Sequence, residues 1–311
     1  MKRFLRAVTG IAMLGLTFAP LAPPATAATS DCATIGVRQE FRTLSDAEWE
    51  RFVSAVKRLM ERPSAAQPSH YDRFANDYGR VASQTHNNAM FLAYNRQNLR
   101  AFEIELQKID PEVTLPYWDW SRDSQAPELS PIFSAEYLGG NGDPMRGNAV
   151  TDGPFRDAQF FYPQPHPLKR EFNEDGRLGA FYSSEQLNQI IMSSSTYDAL
   201  RRGLEVAPNG IVHVNIGGDM ATMYAPNDPI FWLHRAYIDK LWDDWQRLKP
   251  AQANAVNGTL ADRRTHMTGT TSIPHYNSRV QDVLSVAGLC YGYDRGDQGP
   301  QEPAPRQLQV Q

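Results

Sequence analysis

The sequence lacks the features of a nucleic-acid-binding or membrane-embedded protein. Its 311 residues carry a formal net charge of -4 and contain no block of basic residues, which argues against nucleic acid as the main partner. After the N-terminal segment, no apolar run is long enough to span a bilayer. Cysteine is scarce, with only Cys32 and Cys290 in the chain. The hydrophobic content of 41% is nevertheless sufficient for a sizeable core in one or two domains.

The first residues have the pattern of a secretory signal peptide. Lys2, Arg3 and Arg6 precede an apolar run at residues 7–19, and an Ala-Thr-Ala cleavage signal follows at residues 25–27. A transmembrane anchor is the weaker interpretation, because the run is short and prolines break it. We therefore expect residues 1–27 to be removed and the mature protein to be secreted, with no membrane span after cleavage. The sequence does not indicate whether export needs a chaperone.

Export gives the two cysteines a predicted role. In an oxidising compartment a pair of cysteines more often forms a disulfide than two free thiols, so Cys32 and Cys290 are expected to be bonded. The bridge would join the two ends of a mature domain spanning residues 28–294. Residues 295–311 lack apolar periodicity and are predicted to be a disordered tail.

The strongest helical pattern lies at residues 227–246 and contains an unexpected cation. Its apolar residues recur at helical spacing, and the charged residues fall on the other side, namely Asp239, Lys240, Asp243 and Asp244. Arg235 lies within the apolar stripe, which consists of Phe231, Ile238, Leu241, Trp242 and Trp245. A cation on a buried face requires a specific partner.

A second helical pattern, at residues 87–109, also contains a polar residue on its apolar face. Asn95 interrupts a stripe made of Phe91, Leu99, Phe102 and Leu106. Further along the chain, Asn209 and His213 are four residues apart. If that segment is helical, both side chains point to the same side.

Several ordered motifs resemble those of the tyrosinase family. They are Tyr117-Trp118-Asp119-Trp120, the run from Val212-His213 to Met220, the segment from Asn227 to His234, and the closing Tyr291-x-Tyr293. The resemblance extends over roughly residues 32–294. It implies a mainly α-helical domain with long ordered loops, whose central four-helix bundle holds two copper ions, each bound by three histidines. Such proteins oxidise phenols to catechols and catechols to quinones.

At the first copper site, the resemblance preserves only part of the ligand set. His86 matches a retained histidine, and Asn95 occupies a second ligand position. The third position falls on Tyr78 if a Tyr-Asp-x-Phe signature sets the register. A rival alignment instead uses His70, which lies sixteen residues before His86.

At the second copper site, two of three ligand positions are substituted. His213 matches the retained histidine, whereas Asn209 stands at the position of another. The last family ligand lies four residues before an aspartate, and that position holds Arg235. His234 then matches the neighbour that does not bind copper.

These substitutions remove most of the chemistry that copper needs. An amide oxygen binds copper poorly, and a tyrosine ligates well only when deprotonated, from an unperturbed pKa of about 10. Arginine has no free lone pair and would place a positive charge beside the metal. The resemblance implies copper as the cofactor, but the residues predict that it is absent or not bound as a pair.

The preferred hypothesis is a metal-independent binder or enzyme that uses the former copper pocket. Arg235 would bind a small aromatic or anionic ligand, and His86 and His213 could serve as acid or base. The ligand would be oriented by Tyr78, Asn95 and Asn209.

Two alternatives remain open. The first is a phenol or catechol oxidase with an atypical copper site. The second is an inactive structural or partner-binding protein, in which Arg235 pairs with Asp239 one helical turn away.

Overall fold

The computed structural model describes Cys32 and residues 34–294, and this part of the chain is mainly α-helical, as predicted. The predicted signal peptide and tail lie outside the described residues. Helices occupy α1 (Asp46–Leu59), α2 (His70–Thr85), α3 (Phe91–Ile109), α4 (Ser184–Ser193), α5 (Tyr197–Leu204), α6 (Gly210–Ile216) and α7 (Ile230–Leu248). None of these helices combines the length and apolar character needed to cross a bilayer.

Two of the helices that build the site begin at signals visible in the sequence. Ser69 caps α2, and its side chain accepts a hydrogen bond from the Asp72 N–H while the Asp72 carboxylate accepts one from the Ser69 N–H. At the start of α7, the Asp228 carboxylate accepts a hydrogen bond from the Ile230 N–H at 3.0 Å. Proline at position 229 fits just before the first turn because that turn needs no N–H donor there.

Aromatic packing joins α2, α3 and α7. The rings of Phe102 and Trp232 are stacked with centroids 3.7 Å apart, and the Trp232 indole donates a hydrogen bond to the Tyr71 hydroxyl at 3.0 Å. The apolar stripe predicted for residues 227–246 is buried throughout, as expected. This packing fixes the faces of α2, α3 and α7 that carry the site.

The two ends of the described domain are held together. Strands β1 (Gly36–Arg38) and β4 (Tyr291–Tyr293) pair in parallel, and Cys32 is bonded to Cys290, which confirms the predicted disulfide. A short antiparallel pair, β2 (Gln159–Phe160) and β3 (His166–Pro167), lies in the long loop region between α3 and α4.

Asp239 corrects one prediction from the helical pattern. It was expected on the polar face of α7, but its side chain is fully buried. Its carboxylate accepts hydrogen bonds from Arg96 at 2.6 Å, Tyr291 at 2.6 Å and Tyr293 at 2.7 Å. Periodicity distinguishes polar from apolar faces, and this polar face is covered by β4 and α3. The predicted pairing of Asp239 with Arg235 is therefore wrong.

Candidate functional site

Arg235 reaches from α7 across the bundle to the C-terminal half of α2. Its Nη2 donates a hydrogen bond to the Tyr78 hydroxyl and lies 3.2 Å from the His86 Nε2. The Tyr78 hydroxyl is also 2.7 Å from the same His86 nitrogen. We call Tyr78, His86 and Arg235 the arginine cluster. The partners of Arg235 thus come from another helix and not from its own.

The guanidinium of Arg235 is buried without an ion pair. The residue is 2% exposed, and no carboxylate among the described residues forms a salt bridge with it. Its central carbon lies 4.9 Å from the ring centre of Phe91, 5.2 Å from that of Phe231 and 5.7 Å from that of Tyr78. Ring faces attract a cation, but among the described residues no oxygen or nitrogen atom accepts a hydrogen bond from the Arg235 Nε–H.

The hydrogen bonds around His86 fix its tautomer. Its Nδ1 lies 3.1 Å from the Ala82 carbonyl, which can only accept, so Nδ1 carries the proton and Nε2 presents a lone pair to Tyr78. Burial and, to a smaller extent, the positive charge of Arg235 together lower the pKa of His86 to about 4. The imidazole is therefore neutral at pH 7. Burial also raises the pKa of Tyr78, so that its hydroxyl stays protonated.

A second group, the histidine cluster, consists of Asn209, His213 and His234. The Trp120 indole donates to His234 Nδ1 at 3.1 Å, so His234 Nε2 carries the proton and donates to the Asn209 Oδ1 at 3.0 Å. The rings of His213 and His234 are 5.0 Å apart. Burial lowers the pKa of His234 well below its usual value. Asn209 is thus held by a neutral, fully buried histidine.

His213 has one nitrogen satisfied and one free. Its Nδ1 donates to the Met220 carbonyl at 2.7 Å, whereas its Nε2 is buried and has no hydrogen-bond partner among the described residues. Burial, followed by the charge of Arg235, lowers the pKa of His213 to about 3. At pH 7 this Nε2 is therefore an unused acceptor.

The segment that carries Asn209 and His213 is helical but irregular. A π-helical turn, Glu205–Asn209, precedes α6 and contains Pro208, which cannot donate a backbone hydrogen bond. Both side chains nevertheless contact His234, so the predicted common orientation of Asn209 and His213 is confirmed.

The remaining candidate residues are placed differently. The Asn95 amide donates to the backbone carbonyl of Arg235 at 3.1 Å, so it contacts the main chain of α7 and not the arginine cluster's side chains. His70 is exposed at the first turn of α2, beside His275 and Tyr276, in a surface cleft of about 250 Å³. The structure therefore brings Tyr78, and not His70, to His86.

Three contributors to the site could not be assigned from the sequence. His234 was set aside as a neighbour of the matched position, yet it holds Asn209. Trp120 fixes the tautomer of His234, and Phe231 lies between the two clusters, 5.1 Å from the Tyr78 ring and 6.1 Å from the His213 ring. Trp120 belongs to the Tyr-Trp-Asp-Trp motif, which was the only sequence signal for its importance.

Solved structures with the same fold define the class of helical-bundle proteins to which this chain belongs. It superposes on a variant of polyphenol oxidase from Thermothelomyces thermophila with a TM-score of 0.68 and 23% identity, covering 84% of this chain and 89% of that chain. The tyrosinase from Burkholderia thailandensis gives a TM-score of 0.62 with 16% identity, covering 88% and 76%. At these identities the likeness establishes the fold alone.

The sequence comparisons establish the family. Residues 55–248 match the common central domain of tyrosinase. A tyrosinase of Streptomyces lincolnensis is 37% identical over 276 residues, covering 81% of this chain and 97% of its own length. A tyrosinase-like protein of Diaporthe leptostromiformis is 32% identical over 288 residues, covering 83% and 73%. The chain belongs to the tyrosinase family.

Proposed function

We propose that this protein is a secreted member of the tyrosinase family that does not hold a copper pair and instead binds a small anionic, aromatic ligand through Arg235. The observation that carries the proposal is a buried guanidinium that forms no ion pair with a carboxylate of the described residues and whose Nε–H has no hydrogen-bond partner among them. Secretion rests on the N-terminal pattern alone.

The donor set around the two clusters does not fit a pair of copper ions. The lone pair of His86 Nε2 is directed at the Tyr78 hydroxyl and the Arg235 guanidinium, and Asn209 Oδ1 accepts from His234. A guanidinium has no lone pair and repels a cation. No three His, Cys, Asp or Glu side chains of the described chain converge as a metal site would require. We therefore derive no step through copper.

An anionic ligand would offset the cost of burying Arg235. The Tyr78 hydroxyl and the His86 imidazole accept hydrogen bonds from the Nη2 of Arg235, but neither group carries a negative charge. A carboxylate would add a charge-assisted hydrogen bond at Nε and neutralise the cation, and arginine favours such planar anions. The rings of Phe91, Phe231 and Tyr78 around the same group favour a ligand with an aromatic ring.

The neutral histidines give the proposed site a role in proton transfer. His86 and His213 are half-buried as residues, although the Nε2 of His213 is itself buried. A neutral imidazole accepts a proton from a ligand, whereas a charged one does not. In this proposal His213 Nε2 is the free acceptor, because the His86 lone pair is already directed at Tyr78 and Arg235.

A structural role is the second candidate, because the polar groups partly satisfy one another. Tyr78 bonds to His86 and Arg235, Asn209 to His234, and Asn95 to the Arg235 carbonyl. Such a hydrogen-bonded network, which we call the structural plug, would fill the space of the metals without binding a ligand. It leaves the Arg235 Nε–H unexplained, and for that reason we prefer the binding function.

The mature protein is expected to retain well under one copper ion per chain after reconstitution with excess copper and gel filtration. The reason is that the other ring nitrogens and the oxygens of the two clusters are engaged in hydrogen bonds. Only His213 Nε2 keeps a free lone pair that could bind a metal. Metal content is measured by mass spectrometry of the acid-digested protein. A tyrosinase treated in parallel serves as the positive control, and a value close to two coppers per chain would contradict the proposal.

Benzoate is expected to raise the melting temperature of the wild-type protein, and Arg235→Leu is expected to abolish this response. At a ligand concentration of about 100 times Kd, binding contributes about 2.7 kcal/mol. Thermal unfolding with and without benzoate measures the shift. The matched control is Arg146→Leu, which removes an arginine side chain that is 71% exposed and should leave the response intact. A wild-type protein indifferent to aromatic acids would instead support the structural plug.

A further inference from the structure

Both ring nitrogens of His166, at the start of β3, face groups that accept hydrogen bonds. Its Nδ1 atom lies 2.7 Å from the Gln164 carbonyl oxygen, and its Nε2 atom lies 2.7 Å from the Oδ1 atom of Asp219. A neutral imidazole carries one N–H and can serve only one of these acceptors, whereas the imidazolium serves both. The His166 side chain is only 12% exposed, so water has little access to replace a lost partner. The contacts of His166 therefore favour its charged form.

The groups around His166 agree with this geometry. Burial lowers the pKa of His166, but the hydrogen bond and negative charge of Asp219, together with the Gln164 carbonyl, raise it above its usual value. The positive charge of Lys169 acts against them. The ring of Phe160 in β2, whose centre is 5.8 Å from that of the His166 ring, adds no charge. His166 thus contrasts with the histidines of the two clusters, whose pKa values are lowered.

Asp219 is held firmly on its side of this contact. It belongs to the single 3-10 turn Gly218–Ala221. The Lys169 N–H donates to its Oδ2 at 2.9 Å, and the Asp219 N–H donates to the Lys169 carbonyl at 3.0 Å. Neither bond involves His166. Asp219 therefore keeps its position whether or not His166 is charged.

The loop at residues 161–165, which joins β2 to β3, is the side that can move. Its residues are half-buried or exposed. Apart from the His166 contact, two bonds attach it: the Phe161 N–H donates to the Asp72 carboxylate at 2.8 Å, and the Tyr162 carbonyl accepts from the Asn227 amide at 2.9 Å. Asp72 lies in the first turn of α2, and Asn227 shortly precedes α7. The loop thus connects the beginnings of the two helices that carry Tyr78 and Arg235.

We propose that His166 is a pH-sensitive latch, whose imidazolium holds the loop at residues 161–165 against Asp219 and whose neutral ring releases it. A hydrogen bond to a carboxylate is stronger than one to a carbonyl, so the neutral ring keeps its N–H on Asp219. Its Nδ1 then turns a lone pair toward the Gln164 carbonyl, and the loop loses this anchor. The latch is closed at acidic pH and opens as the pH rises through the pKa of His166. The inference does not depend on the proposed function.

The first measurement is the protonation of His166 in the full mature protein. Proton–nitrogen NMR spectra of the histidine side chains follow both ring nitrogens from about pH 5 to about pH 9. Both nitrogens of His166 should carry protons at the acidic end, and the midpoint should lie above about 6.5. A midpoint at or below this value, or a single protonated nitrogen at the acidic end, would overturn the latch.

The second measurement is hydrogen exchange of the Phe161 amide, corrected for the pH dependence of the intrinsic rate. Across the titration its protection should fall by about tenfold for each unit by which the pKa of His166 exceeds about 6.5. The Lys169 amide is the internal reference, because its bond to Asp219 does not need the His166 proton. Constant protection at Phe161, or an equal loss at Lys169, would contradict a release confined to the loop.

Variants separate the latch from other effects of pH. His166→Gln has no titrating ring and should make the protection of Phe161 independent of pH, whereas Asp219→Asn should lower the midpoint of His166 toward about 6.5. The matched control is His275→Gln. His275 also faces an aspartate, Asp77 at 3.4 Å, but it is 41% exposed and lies outside the loop, so the response should persist. A response that survives in His166→Gln would overturn the proposal. If a variant does not fold, the two measurements on the wild type still decide.

Discussion

Replacing Asp239 by alanine is expected to lower the free energy of unfolding by about 3–5 kcal/mol, because it breaks a buried ion pair by removing one partner. The Asp239 carboxylate accepts from Arg96 at 2.6 Å and from the hydroxyls of Tyr291 and Tyr293. Both charged side chains, Arg96 and Asp239, are 0% exposed. The loss would leave Arg96 charged and without its carboxylate.

The matched control is Asp244→Ala on the same helix. Asp244 pairs with Lys240 at 2.8 Å, but its side chain is 25% exposed, and such surface pairs contribute at most about 1 kcal/mol. Urea unfolding of both variants at one pH gives the two differences in free energy. A cost for Asp239→Ala no larger than that for Asp244→Ala would show that the buried network does not hold α7 in place.

Acidification from about pH 7 to about pH 5.5 is expected to destabilise the protein, with a slope of up to about 1.4 kcal/mol per pH unit for each buried histidine whose pKa is lowered, namely His86, His213 and His234. In the folded state the pKa of His86 is about 4 and that of His213 about 3. In the unfolded chain both are about 6.5. The unfolded state therefore binds protons that the folded state does not, and stability falls as the pH falls through this window.

Urea unfolding at a series of pH values measures this slope. His86→Asn and His213→Asn should each reduce it, because each removes one group that takes up a proton on unfolding. The control is His266→Asn, which alters an exposed residue and should leave the slope unchanged. The pKa of His166 is raised, because Asp219 outweighs the effect of burial, so His166 contributes to the slope with the opposite sign. This contribution is the same in all the variants and does not affect their comparison. An unchanged slope in both site variants would contradict the assignment of buried neutral histidines.

Arg235 connects these electrostatic effects to the proposed function. Its charge lowers the pKa values of His86 and His213 together, although burial is the larger cause for each. An anion bound at Arg235 would weaken that repulsion. In the proposed function, the same cation would disfavour a metal pair, attract the ligand and help to keep the two histidines neutral.

The sequence determined the helices and the positions that break their patterns. The apolar stripe of α7 is buried as predicted, and Arg235 and Asn95 lie inside the bundle where the spacing placed them. The disulfide followed from having two cysteines and an export signal, and it needed no knowledge of the fold. These features are local or compositional, and helical periodicity reports them directly.

Only the tertiary structure decided what these residues contact. Arg235 could reach Asp239 along its own helix, but it bonds to Tyr78, which is 157 positions away in the chain. Asp239 is instead covered by Tyr291 and Tyr293, more than fifty residues later. Periodicity states which face of a helix is polar, whereas the partner on that face depends on which distant element packs against it. The sequence therefore identified the unusual cation, and the fold of the bundle determined its surroundings.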